Sequence, residues 1–155
     1  MAIDSTNHLS KPHMQKSAMF AAIALLSMSA WAASPSDTVN DFHGALGAGD
    51  KARVLALLSP AIVVYEAGHV ERSRDEYASH HLAADMEYGK STARKVLKHS
   101  ERIDGTMATV MEETETIGSF KGKPVHSFGL ETTLLEKQGE GWVIVHVHWS
   151  SRKPR

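Results

Sequence analysis

Apolar positions change period along this chain, and the changes mark out its elements. Val39, Phe42, His43 and Leu46 recur at i, i+3, i+4 and i+7, the spacing of an amphipathic helix over residues 35–48. Ser34, Pro35 and Asp37 form its start signal, and Gly47 and Gly49 end it. Asp50 caps a second, short helix, KARVLALLS, that Pro60 stops. AIVVYE, residues 61–66, is β-branched and apolar and reads as a strand; AGHVE reads as a turn leading into an extended stub. Ser73-Arg74-Asp75-Glu76 is a capping box opening a third helix over 74–89, with Gly89 as its end. Beyond it the helical period vanishes. Strands are expected near 92–103, 107–119, 124–137 and 142–150, joined by turns at Asp104-Gly105, Lys121-Gly122-Lys123 and Gln138-Gly139-Glu140-Gly141. The order predicts an α+β domain, its helices gathered on one side of an antiparallel sheet. Strands longer than average suit strong curvature.

Composition changes this picture at the N-terminus. From Met14 the chain reads MQKSAMFAAIALLSMSAWAASPSD: one Lys, an apolar run and the small-residue site Ala30-Trp31-Ala32. This is the pattern of a secretory signal peptide, too short and too poorly flanked for a membrane span. Residues 1–32 are therefore expected to be leader with an N-terminal extension, Met14 being a candidate true start. Residues 33–151 form one domain and 152–155 a disordered tail. The expected location is periplasmic or secreted, with no stable membrane anchor after cleavage; with no cysteine to acylate, a lipoprotein anchor is excluded.

Of 17 basic and 18 acidic residues the leader holds Lys11, Lys16 and Asp4, leaving 15 against 17. A near-neutral domain without a basic stripe argues against nucleic acid as a partner. No disulfide can form, so stability must come from a packed core or from oligomerisation. Any metal site would use histidine, carboxylate or methionine. Ten histidines occur, two of them in the leader, and the eight that remain are the one unusual feature of the composition.

The element order, the domain length and the phrases GHVERSRDEYASHHLAADM and GWVIVHVHWSSR resemble the nuclear transport factor 2-like superfamily. Within it the chain looks closest to the SnoaL-like or ketosteroid-isomerase-like branch of small exported bacterial proteins. The resemblance implies a cone: a curved sheet wrapped on helices, with a pocket inside and homodimers common. It does not settle chemistry, since the superfamily contains isomerases, cyclases, dehydratases and pure assembly modules.

Candidate chemistry lies on two faces. On a wheel of the third helix, Tyr77, Ala78, His81, Leu82, Asp85, Met86 and Tyr88 share one half, so His81 and Asp85 stack at i and i+4 in an apolar stripe. Burying them is costly unless they are paired or bound to something. His80 falls at the polar edge and reads as a solvated surface histidine. In the last strand, strict alternation puts Val143, Val145, Val147 and Trp149 on one face, and Trp142, Ile144, His146 and His148 on the other. The expectation is that the histidine face turns toward the helices, beside His81 and Asp85. The opposite orientation, with the histidines outward, stays open.

Three readings follow. In the first, the pocket binds a small organic molecule and turns it over by acid–base chemistry of isomerase, cyclase or hydrolase type. His81 acts as base, Asp85 orients it, and His146 or His148 meets a developing oxyanion. Tyr77, Tyr88, His43 and Trp142 line the ligand site. In the second, His81, Asp85, His146 and His148 hold zinc, copper or iron in a periplasmic metal-binding protein. In the third, the polar groups satisfy one another in a non-catalytic dimerisation or assembly domain. Lesser expectations are that Glu131 faces the pocket, that Glu112, Glu113 and Glu115 form a solvated cluster, that Glu66, His69 and Glu71 flank a turn near the mouth with His69 at the entrance or on the surface, and that Met107 and Met111 belong to the core.

Overall fold

The computed structural model describes residues 33–155, so the leader and its cleavage site lie outside the described residues. Helix α1 spans Pro35–Ala48; Ser34 caps it reciprocally with Asp37, and Gly49 closes it in the left-handed conformation. Val39, Phe42, Ala45 and Leu46 are its buried stripe. Helix α2, Lys51–Leu57, is shorter than its apolar run suggests, because strand β1, Leu58–Glu66, begins two residues before Pro60. Leu58 pairs with Ile144, and regular pairing resumes only at Val63. Pro60, which cannot donate to a ladder, sits in that irregular interval. Ala67 and Gly68, both at positive φ, make the tight turn into β2, His69–Glu71.

The third predicted helix is two. Helix α3, Arg74–His80, and helix α4, Leu82–Ser91, meet at His81, which stays in the right-handed region at φ −100° and ψ −35° but belongs to neither helix. Tyr77 and Leu82, on either side of that junction, are both fully buried. Gly89 does not end α4; it lets the helix press against α1, where an added Cβ would stand 3.2 Å from the backbone nitrogen of Gly47. Four long strands follow: β3 Thr92–Asp104, β4 Met107–Phe120, β5 Lys123–Gln138 and β6 Gly141–Arg152.

The six strands form one sheet in the order β2-β1-β6-β5-β4-β3. It is antiparallel except where β1 runs parallel to β6. The α+β class holds, with helices packed on one face of a curved, open, mixed sheet. The core lies between them and is built from Val39, Phe42, Leu46, Val54, Ile62, Tyr77, Leu82, Val110, Leu135, Ile144 and Val147.

One irregularity in β6 decides what its side chains meet. Ile144 pairs with Leu135 and His146 with Leu134, so Val145 is an extra residue, a bulge. Ile144 and Val147 are therefore both buried on the helix side, three residues apart. Trp149 follows Val147 inward, and His146 and His148 turn outward. Val143, Val145, Val147 and Trp149 do not share a face. The expectation that the terminal histidines look toward the helices is thus corrected. Met107 and Met111 are corrected too. They lie on the outer face of β4, 41% and 48% exposed, and are not core.

Candidate functional site

A cavity of about 830 Å³ opens between the sheet and the faces of α1 and α4. Its most buried polar group is the Glu131 carboxylate of β5. Glu131 accepts from His43 Nε2 at 2.8 Å, Arg94 at 3.0 Å and the Thr133 hydroxyl at 2.9 Å. Trp149, its partner across the ladder on β6, also favours the charged form. Burial by itself would raise the Glu131 pKa, but His43, Arg94 and Trp149 outweigh it and hold the group down at about 2. It is a fixed anion at any physiological pH.

Arg94, on β3, donates from the same Nη2 to Glu112 of β4, whose second oxygen takes His99 Nδ1 at 3.0 Å. His99 Nε2 lies 3.0 Å from the Ser36 hydroxyl in the first turn of α1. One guanidinium and two imidazoles thus tie two buried carboxylates together and clamp α1 to the sheet. Glu112 is correspondingly not part of a solvated cluster. It alternates inward with Ala108, Val110, Thr114 and Thr116, while Glu113 points the other way.

The α4 side of the cavity carries Asp85. Its carboxylate accepts the Tyr77 hydroxyl at 2.7 Å. Burial pushes the Asp85 pKa up; the Tyr77 hydrogen bond and the nearby His81 pull it only part of the way back. Glu66, at the end of β1, lines the same cavity and is likewise raised, by burial first and then by the Asp85 charge. Burial, and then Asp85, push the Tyr77 hydroxyl far above its usual range, so it stays a neutral donor. Tyr88 lines the cavity with its ring edge-on to Phe120, centroids 5.4 Å apart. Trp149 stacks on Phe42 at 6.1 Å, closing the inner wall.

The residues singled out from the sequence therefore separate into three groups. His43, Asp85 and Tyr88 line the cavity, as does His148 although its ring packs on Tyr65, and Tyr77 is buried behind Asp85. His81 is near Asp85 but does not bond to it: its Nδ1 meets the buried carboxylate of Glu71 on β2. Trp142 packs on the core away from the cavity. His146 and His148 flank Tyr65 on the outer face at ring distances of 5.0 and 6.0 Å, and His146 Nδ1–H donates to the Val63 carbonyl at 2.8 Å. His81, Asp85, His146 and His148 do not converge, since two lie on one side of the sheet and two on the other. Residues that the sequence left out of the site are Arg94, Glu112 and Trp149. Strict two-residue alternation from Ala108 would have found Glu112; nothing local points to Arg94.

Helices on one face of a curved sheet, with a cavity enclosed between them, define the nuclear transport factor 2-like class of α+β domains. The chain belongs to the SnoaL-like domain family, whose model matches residues 36–153. Among solved structures it is similar to a provisionally assigned ketosteroid isomerase from Shewanella frigidimarina NCIMB 400. The two are 41% identical, over 74% of this chain and 92% of the other, with a TM-score of 0.71. A provisionally assigned dehydratase of the same fold family from Streptomyces avermitilis matches at 16% identity, over 76% of this chain and 92% of its own, with a TM-score of 0.66. The CaMKII hub of S. rosetta matches at 16%, over 76% and 93%, with a TM-score of 0.65. These last two show the fold alone. No curated protein matches the chain.

Proposed function

We propose that the cavity binds a small organic molecule, uncharged or cationic, and turns it over by proton transfer, with Asp85 as the acid–base group. The observation that carries this is a split between two carboxyls of one cavity: Asp85 raised by burial, Glu131 held at about 2. Paired titratable groups pushed in opposite directions are how one site keeps a proton carrier beside a permanent charge. Glu131 orients His43 through Nε2, leaving Nδ1 as the ring's remaining polar atom. Glu66, Asp85 and Glu131 outnumber the single guanidinium of Arg94, which two carboxylates already hold, so an anionic ligand would be repelled. The similar Shewanella protein carries an isomerase assignment, and isomerisation of an unsaturated ketone is a proton-transfer reaction of this type.

The test is conversion of β,γ- to α,β-unsaturated ketones of increasing size, followed by ultraviolet absorbance, in the parent and in Asp85→Asn. Loss of turnover by about a hundredfold or more in the variant, with binding retained, is the expected result. Equal turnover in both would remove Asp85 from the chemistry. Export from the cytoplasm belongs to the same proposal and rests on the leader; N-terminal sequencing of the secreted protein checks for cleavage after Ala32.

A second reading concerns assembly. The outer sheet face exposes Leu130 by 60%, Ile117 by 52%, Met111 by 48% and Tyr65 by 46%. So much apolar surface on one face fits a homodimer that covers it. Assembly and a functional cavity are compatible, because they use opposite faces of the sheet.

A further inference from the structure

At the junction of β2 and α3, outside the cavity just described, a second group of side chains converges. Glu71, at the end of β2, is 5% exposed at its side chain, and its two oxygens face two imidazoles, His81 Nδ1 on one and His80 Nδ1 on the other. Glu76 and His80 stand one turn apart on α3, the i, i+4 spacing that puts both side chains on one stripe. Ligand atoms of Glu71, Glu76 and His80 all lie within 4.8 Å of one another. The backbone N–H of Arg72 donates to Glu76 at 2.6 Å, which fixes that carboxylate in place.

Two of these contacts are of different kinds. His81 and Glu71 are in close hydrogen-bond contact. His80 Nδ1 is 3.3 Å from Glu71, longer than the roughly 2.7–2.9 Å of a charge-assisted bond. That separation instead matches the edge of a zinc tetrahedron, about 3.3 Å for metal–ligand bonds near 2.05 Å. We propose that Glu71, Glu76 and His80 are the three protein ligands of a divalent transition-metal site of the zinc type, with water completing the coordination. His81 is a positioning residue: its Nδ1–H donates to the other oxygen of Glu71 and holds that carboxylate toward the metal. The ring of His69, whose centroid is 6.0 Å from that of His81, packs beside this support.

The other mixed cluster, His43, Glu112 and Glu131, is a poorer candidate. The Arg94 guanidinium already sits on both of its carboxylates, and a metal ion would have to displace it. His146 and His148 face away from it. The site at Glu71 keeps no guanidinium, and its exposed member, His80, gives an ion a way in.

The experiment uses the full chain made without an affinity tag of histidines, stripped with a chelator and titrated with Zn²⁺ against a chromophoric competitor. One equivalent is expected to bind at micromolar Kd or tighter. His80→Ala and Glu76→Gln each weaken it at least tenfold, and both variants keep the parent's thermal midpoint in the absence of metal. His81→Phe weakens it by ten- to a hundredfold, the range for loss of a supporting hydrogen bond. His126→Ala, on the outer part of β5, leaves the Kd within twofold. Absence of stoichiometric binding overturns the proposal, as does binding that His80→Ala leaves unchanged. Glu71→Gln is not used, because a buried carboxylate can be needed for folding itself. The site stands apart from the proton-transfer reading, so failure of either leaves the other intact.

Discussion

Glu131 and Asp85 share one cavity, and burial disfavours the charged form of both. What separates them is the number of donors. Glu131 collects His43, Arg94 and Thr133, whereas Asp85 has the Tyr77 hydroxyl. The sign of each contribution to stability follows from this. Glu131 is lowered from 4.5 to about 2, so its stabilisation is complete above pH 4.5 and is lost as pH falls toward 2. That loss is on the order of 3 kcal/mol at about 1.4 kcal/mol per pH unit. Thermal melts of the parent should therefore drop between pH 5 and 2.5 by more than those of Glu131→Gln, whose midpoint at pH 7 starts lower. Asp85, being raised, behaves in the opposite sense: its contribution is present below its unfolded pKa of 3.8 and is lost as pH rises through the folded value. Tyr77→Phe removes a donor that lowers Asp85. The acidic limb of the turnover or binding profile should then move to higher pH, at a stability cost of about 1 kcal/mol. A limb that stays in place would show that Asp85 does not titrate in that profile. Much of this site was legible as residue types on helix faces. His43, Tyr77, Asp85 and Tyr88 all fall where a wheel puts them. Arg94 was not, because its partners lie 18 and 37 residues further on, and no local period reports a long-range ion pair.

Periodicity served the helices better than the last strand. Capping signals at Ser34, Asp50 and Ser73 each stand where a helix begins. In β6 the same kind of counting fails after Val145. Alternation assumes one residue per rung, and the bulge opposite Leu134 and Leu135 adds one. Every side chain beyond it then changes face: Trp149 enters the cavity wall and the two histidines leave it. The break at His81 is a similar local departure inside a continuous helical pattern, with neither Pro nor Gly to announce it. Glycines show where elements touch. An added Cβ on Gly118 would lie 2.5 Å from the Ser91 carbonyl and 2.7 Å from the Thr92 Cα, backbone that cannot rotate away. Gly118→Ala should therefore destabilise by about 1–3 kcal/mol in denaturant melts, the usual cost of overpacking. Gly44→Ala meets nothing within 4 Å in mid-helix. It should stabilise by about 0.5–1 kcal/mol, from helix propensity alone. If both variants melt alike, the close approach of the α4 end to β4 is not tight.

For the whole molecule, the two faces of the sheet divide the work. The helix side holds a charged cavity set in the core; the outer side is apolar and uncovered by any described element. Leu130→Glu puts a charge at the most exposed apolar position of that face, opposite Glu113 on β4. In sedimentation velocity the parent should run as a dimer and the variant as a monomer, with its melting point in dilute solution changed by no more than a few degrees. A parent that is monomeric at tens of micromolar would remove the assembly reading. The α+β order and the family resemblance were visible in the sequence. The parallel pairing of β1 with β6 was not, because it joins segments with most of the domain between them.

That pairing has a consequence for how the domain comes into being. The His146 imidazole reaches the Val63 carbonyl across 83 positions of sequence, and the first strand has no neighbour but a three-residue hairpin arm until the sixth arrives. Closing so distant a contact pays its loop entropy late, so the rate of folding should be set by docking β1 onto β6, not by forming the hairpins from β3 to β6. A chain emerging from the ribosome carries β1 as an open edge, Tyr65 included, through the making of α3, α4 and three more strands. Within this domain the cavity cannot exist before Trp149 has been added.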